Sequence, residues 1–381
     1  LKKIILIGPA YPLRGGIAAF TERLAAELIL QQNEVRIESY SLQYPKWLFP
    51  GKTQFTTEKN KKQLPVKTTL NSINPLSWVK LGKRLRNEKA DVVVFTYWIP
   101  FMAPALGTIA RILGKNKYTK RLALAHNILP HEKRPGDKML TRYFVKSMDG
   151  FLVLSDSVKA DLQLFGIEKP IAQTPHPLYD NFGKCIPRPE ALNTLALDPT
   201  WNYLLFFGFI REYKGLDLAI KALASQKLKG LKIKLIVAGE FYKDEAYYRS
   251  LVQELGLADR VLFYDHFIPD STVPVYFSAA DLVVQPYKSA TQSGVTQIAY
   301  HFEKPILVTN VGGLPELVPH LRAGYVCKQD AEEIAESISD FFVQKREKAF
   351  IASIQEIKKN YSWDLFVKQF TLLLEQTKIG R

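Results

Sequence analysis

Short runs of Val, Ile, Leu and Phe alternate along this chain with stretches whose apolar residues recur every three or four positions. The runs have strand length and the periodic stretches have helix length, which predicts parallel sheets joined by helical crossovers. Strands are predicted near 3–8, 34–40, 91–97, 121–126, 150–154 and 171–174, with helices near 16–32, 78–88, 100–113, 137–147 and 155–165. Prolines then cluster from Pro175 to Pro189, and the alternation restarts. The second series places strands near 202–208, 232–239, 260–264, 281–285 and 305–309, and helices near 213–226, 244–255, 270–279, 293–302 and 330–343. The expected fold class is therefore α/β, with two tandem Rossmann-like, doubly wound parallel-sheet domains at 1–178 and 185–360. The amphipathic last segment, about 362–381, is expected to pack back onto the first domain.

Between Ser41 and Trp78 the alternation stops for longer than an ordinary connection. Trp47 and Phe49, with lysines from Lys59 to Lys62, read either as a flap covering the core or as aromatics at a membrane interface. Charge changes the picture further. Residues 1–180 hold 28 Lys and Arg against 14 Asp and Glu, while the remainder holds 24 against 23, so nearly all of the net +15 sits in the first half. Such a field suits an anionic partner: a phosphorylated substrate or an acidic membrane surface. The basic residues are dispersed and no recognition motif accompanies them, so nucleic acid is not expected. Two cysteines, Cys185 and Cys327, make no disulfide framework and have no metal-ligand spacing, and no apolar run approaches the ~20 residues of a membrane span. The expected location is the cytoplasm, with the cytoplasmic membrane face as a surface for the basic half.

Four segments carry candidate chemistry, and all of them lie where a predicted strand ends. Phe207-Gly208-Phe209-Ile210-Arg211-Glu212-Tyr213-Lys214-Gly215 joins a strand to a helix, with Gly208 letting a ligand approach the main chain and Arg211 and Lys214 adding positive charge. The pattern suits a diphosphate. Near the N-terminus, Arg14-Gly15-Gly16 opens a helix after the first strand, without the G-x-G-x-x-G spacing of a dinucleotide fingerprint. At the end of the strand 121–126, His126 and Asn127 could meet a substrate hydroxyl; His131 reads equally well as a turn residue. Finally, Gln292-Ser293-Gly294-Val295 forms a helix start at which Ser293 caps and free N–H groups hold phosphate.

These residues resemble a known family. Gly15-Gly16-Ile17, His126-Asn127, Ser155, Pro175-His176-Pro177, Gly208 with Arg211, Lys214 and Gly215, Val237-Ala238-Gly239, and Pro305-Ile306-Leu307-Val308 leading to Gly312-Gly313-Leu314-Pro315-Glu316-Leu317-Val318 are similar to the GT-B-fold glycosyltransferases of family 4. The resemblance implies two domains facing a central cleft and transfer of a sugar, with retention, from a nucleoside diphosphate sugar, a UDP- or GDP-sugar, to an acceptor hydroxyl. It implies that Arg211 and Lys214 hold the donor diphosphate, that Gly15 and Gly16 approach it from the other domain, and that His126 contacts the transferring sugar. His126, Arg211 and Lys214 are then the catalytic set. Gly15, Gly16, Gly208, Gln292, Ser293, Gly294 and Val295 line the donor, and Arg14 and Asn127 lie on the acceptor side. The acceptor is a glycan or a lipid-linked sugar. No permanent cofactor is expected, and no metal, because the two cations can neutralise the leaving diphosphate in place of an Asp-x-Asp-bound ion.

One departure marks a variant branch. The family usually carries two glutamates eight positions apart, where alignment on Pro286 and Pro305 places Ala290 and Ile298. Thr291, Gln292, Ser293 and Gln297 are the polar groups left to replace them. The loss also admits a non-catalytic nucleotide-sugar-binding or scaffold subunit, and the fold admits a phosphorylase or an epimerase.

Overall fold

The computed structural model describes the chain except for residues 47, 50–52, 59–62, 131–133, 291–292 and 380–381. The chain divides into two compact units, Leu1–Pro177 with Trp363–Arg381, and Leu178–Ser362. The first runs β1 (Lys3–Ile7), α1 (Gly16–Leu30), β2 (Glu34–Leu42), β3 (Val66–Asn71), α2 (Pro75–Glu88), β4 (Val92–Tyr97), α3 (Ala103–Leu113), β5 (Lys120–Ala125), α4 (Asp137–Val145), β6 (Gly150–Val153), α5 (Asp156–Gln163) and β7 (Ile171–Gln173). The second runs α6 (Arg188–Thr194), β8 (Asn202–Phe207), α7 (Leu216–Leu223), β9 (Ile233–Ala238), α8 (Glu245–Glu254), β10 (Val261–Tyr264), α9 (Val273–Ala279), β11 (Leu282–Gln285), α10 (Gly294–His301), β12 (Ile306–Thr309), α11 (Leu314–Leu317), β13 (Gly324–Cys327), α12 (Ala331–Val343) and α13 (Glu347–Ile357). The closing helix, α14 (Trp363–Gln376), packs on α1, β6 and β7 of the first unit.

Every strand pairing among these is parallel, in the orders β3-β2-β1-β4-β5-β6-β7 and β10-β9-β8-β11-β12-β13. Strand order reverses between β1 and β4 in one sheet and between β8 and β11 in the other. In open α/β sheets the crevice beyond the strand ends at such a reversal is where ligands bind. Central strands are apolar on both faces, as parallel sheets covered by helices require: all six residues of β4 are buried. In the first core, Tyr97 stacks on Phe144 with centroids 4.2 Å apart.

Capping side chains start several helices. Asn74 accepts from Leu76 N–H before α2, Ser155 from Val158 N–H before α5, and Asp330 from the N–H groups of Glu332 and Glu333 before α12. The expected gap between Ser41 and Trp78 contains a strand, β3, and the first turn of α2. As an edge strand with Lys67 and Thr68 exposed, β3 has no continuous apolar face to announce it. The edge strand β13 is buried but only four residues long, too short a run to stand out in the pattern. In place of one helix over 213–226, a 3-10 turn at Glu212–Lys214 precedes α7.

A buried carboxylate fastens the open edge of the first sheet. Glu38 on β2 is fully buried; Arg36 Nε donates to it at 2.7 Å, Arg84 at 2.6 and 3.1 Å, and the Thr69 hydroxyl at 2.7 Å. Arg36 also reaches Glu88 at 2.6 Å, so β2, β3 and α2 share one network. Removing the central carboxylate leaves two guanidinium groups short of their partner. Glu38→Ala is expected to cost about 3–5 kcal/mol, read in calorimetry as a lower melting temperature with an intact second unit.

Candidate functional site

In the second unit the ends of β8 and β11 are neighbours, and their loops interlock. Gly215 adopts φ 68°, and a Cβ there would lie 1.9 Å from the Pro286 carbonyl oxygen, so only glycine lets the two loops touch. The Lys288 N–H donates to the Tyr213 carbonyl at 2.6 Å, and the Lys288 ammonium pairs with Asp217 at 2.9 Å. The third loop, after β9, closes the group: Gly239 lies against the Gly208 carbonyl, where a Cβ would come within 2.1 Å.

Two cations stand on this floor. The Lys214 ammonium lies over the face of Gly208, 3.2 Å from where a Cβ would be, and Gly208 itself has φ 94°. Burial, and then the neighbouring Arg211 cation, pull the Lys214 ammonium down to about 7. The Arg211 guanidinium lies 4.1 Å from the centroid of the Tyr242 ring, and Lys214 Nζ lies 5.7 Å from that of Tyr287. Among the described residues neither cation has a carboxylate partner. A positive pair at a strand-order reversal has the charge and the place to attract a compact polyanion.

The expected helix starts take different forms here. Gly215 caps α7 from the left-handed region and packs on Pro286, and Lys214 sits in the 3-10 turn before it. Ser293 caps α10, its hydroxyl accepting from Val295 N–H at 3.2 Å, so that N–H is already engaged. Gly294 is required by packing, since a Cβ would come 2.9 Å from the Tyr179 ring. Val295 brings a methyl within 4.0 Å of a Cβ position at Gly208. Gln292 and Thr291 lie outside the described residues, as do His131, Trp47 and the lysines from Lys59 to Lys62. Ala290 and Ile298 are buried and apolar.

The remaining predicted residues lie at the matching edge of the first sheet. Gly15 takes φ 110° at the start of α1, with open space where a Cβ would be, and Gly16 is exposed. Arg14 is anchored to the segment that precedes β3: its N–H donates to the Gln54 carbonyl and its Nε to that of Thr53 at 2.7 Å. Those bonds tie the segment to the residue before the two glycines, and Tyr44 within it packs on Phe49 and Phe101 while accepting from Trp98 Nε1 at 2.6 Å. His126 follows β5, its N–H donating to the Tyr97 carbonyl, and Asn127 beside it is half-buried. The His126 ring meets Phe20 edge-on at 4.9 Å, and His176, read from sequence only as an entry to the linker, meets Phe20 at the same distance, 6.3 Å from His126. Burial, with His176 adding to it, lowers His126 to about 3; burial lowers His176 to about 4. His126 is thus a neutral hydrogen-bonding group across physiological pH.

No role was assigned from sequence to Tyr242, Tyr287 or Tyr179: Tyr242 and Tyr287 reach the cations from the loops after β9 and β11, and Tyr179 reaches Gly294 from the segment before α6. Among the described residues no group of three or more His, Cys, Asp or Glu side chains is placed to hold a metal ion.

Residues 187–356 match the family described as Glycosyl transferases group 1. The chain carries a glycosyl transferases group 1 domain. The chain is 32% identical to a D-inositol 3-phosphate glycosyltransferase of Pseudarthrobacter chlorophenolicus over 143 residues, 36% of this chain and 33% of that one. It is 29% identical to the lipopolysaccharide core biosynthesis mannosyltransferase LpsB of Rhizobium meliloti over 189 residues, 47% of this chain and 50% of that one. It thus spans a third to a half of the length of these two relatives. The structure of Anabaena HepE in complex with UDP superposes with a TM-score of 0.75 at 18% identity, covering 98% of this chain and 100% of that one. The two parallel-sheet units therefore have the GT-B fold, and the cation pair lies within the group 1 domain.

Acid should act on the histidine pair. Both imidazoles titrate near 6.5 when unfolded but stay neutral in the fold, so their contribution to stability is complete above that value and drains as pH falls towards 4. The melting temperature of the wild type should fall between pH 6.5 and 4.5 more steeply than that of His126→Gln/His176→Gln.

Proposed function

We propose that this protein moves a glycosyl group from a nucleoside diphosphate sugar to an acceptor hydroxyl, with retention. The observation that carries the reading is the pair Arg211 and Lys214, with Lys214 over Gly208 and no carboxylate partner for either among the described residues, within the segment that matches group 1. As the bond from the anomeric carbon to the diphosphate breaks, its electron pair moves onto a phosphate oxygen. Fixed cations stabilise that growing charge more than they stabilise the intact donor. The acceptor oxygen bonds to the same face of the anomeric carbon, and its proton passes to the departing phosphate, which gives retention. Arg211 and Lys214 do the neutralising work, so turnover is expected to persist in chelator. His126, neutral, is the proposed partner of the transferring sugar. UDP in the HepE structure supports a uridine donor, with GDP the alternative.

Donor consumption separates this reading from a binding-only subunit, which the apolar Ala290 and Ile298 would suit. A thermal-shift screen with UDP, GDP, ADP and their sugar conjugates should stabilise the wild type. Arg211→Ala should lower donor turnover at least about a hundredfold. Lys214→Met should lose the nucleotide shift while melting higher than the wild type without ligand, because it removes a desolvated cation. Unchanged turnover in both variants would sink the diphosphate site; binding without consumption would establish the scaffold.

For the acceptor, we propose a lipid-linked or growing glycan at an anionic membrane face, in cell-surface polysaccharide or glycolipid assembly. No helix among the described residues is long and apolar enough to cross a membrane. The exposed face of α4 supports surface contact: Lys138, Arg142 and Lys146 run along it beside Met139, 70% exposed, and Tyr143. The protein should co-float with phosphatidylglycerol vesicles but not with phosphatidylcholine vesicles, and Lys138→Glu/Arg142→Glu should lose that binding while keeping nucleotide uptake.

A further inference from the structure

Arg211 and Lys214 are held by rings rather than by carboxylates, and the backbone explains how. Beyond the ends of β8 and β9 the two chains continue as a short parallel ladder. Ile210 N–H donates to the Glu240 carbonyl and Tyr242 N–H to the Ile210 carbonyl, both at 2.9 Å, with Ile210 bridged to Phe241. Gly239 allows this because it has no Cβ to strike the Gly208 carbonyl. One step past the Ile210–Phe241 bridge, Tyr242 stands opposite Arg211, and its ring takes the guanidinium at 4.1 Å.

A ring face and a carboxylate hold a cation differently. A carboxylate would occupy the guanidinium N–H groups, cancel the charge and repel an arriving diphosphate. An aromatic face attracts the cation through its quadrupole, leaves all five N–H donors available and adds no negative charge. It also restricts a long side chain before the ligand arrives, so less conformational entropy is lost on binding.

We propose that Tyr242 is a positioning residue for the donor, seating the Arg211 guanidinium so that its N–H fork is presented to the diphosphate. The inference rests on the donor-site reading above and adds to it a residue that acts only through Arg211. Tyr242 is half-buried, so its replacement does not empty a core position.

The test is a double-mutant cycle read by calorimetric titration with UDP, and with GDP where UDP does not bind. Tyr242→Leu should weaken nucleotide binding roughly three- to tenfold. Tyr242→Phe, which keeps the ring face and loses only the hydroxyl, should restore it. In an Arg211→Ala background, Tyr242→Leu should add no further loss. A ligand-free signature accompanies this: the Arg211 Nε–H resonance should carry a ring-current shift that persists in Tyr242→Phe and vanishes in Tyr242→Leu. Wild-type affinity in Tyr242→Leu, or losses that simply multiply across the two backgrounds, would overturn the positioning role. Failure of the wild type itself to take up any nucleotide would instead overturn the donor site, and this inference with it.

Discussion

The Lys214 ammonium rests on the face of Gly208 with no carboxylate among the described residues to neutralise it, and the loops at the C-terminal edge of the second sheet are arranged around that placement. A lysine there is stable only if its stem is packed and its charge is tolerated. The loop after β8 supplies the turn, Pro286 supplies the carbonyl on which Gly215 closes, and the loop after β9 supplies the second backbone layer. Each depends on a glycine, because in each case main chain meets main chain or a cation at a distance no side chain would allow.

That arrangement has a thermodynamic signature opposite to that of the Glu38 network at the other end of the chain. At Glu38 the charges are mutually satisfied, and the network fastens β2, β3 and α2 together. At Lys214 the charges are left unsatisfied, which costs stability in the free protein and is recovered when an anion arrives. The same contrast runs through the two histidines of the first unit, which are kept neutral by burial instead of being charged and paired.

Much of the fold was legible because parallel sheets covered on both faces write themselves as unbroken apolar runs, as in β1, β4 and β9. β3 was not, since an exposed edge strand needs no such run, nor was β13, whose run is only four residues, and the start of α7 was misplaced because a 3-10 turn carries the same local composition as a helix. The cluster Gly208, Arg211, Lys214 could be read because it is local in sequence. Its aromatic seats could not: Tyr242 and Tyr287 come from the loops after two other strands, and only the register of β8 against β9 and β11 brings them to the cations. At Gly294 the structure adds a packing demand that no local pattern carries, since a Cβ there would come 2.9 Å from the Tyr179 ring.

The last helix gives the chain an order of events. Phe366, Phe370, Leu373 and Leu374 of α14 are buried in the first unit, Trp363 meets Phe20, and Lys120 donates to the Leu374 carbonyl at 2.7 Å. Everything between residues 178 and 362 is made before these side chains exist. During synthesis the first unit therefore waits, with the faces of α1, β6 and β7 uncovered, while the second emerges and folds. A ribosome that stops early leaves a chain whose second unit is whole and whose first still shows an apolar surface, and that surface is what a chaperone or protease would meet.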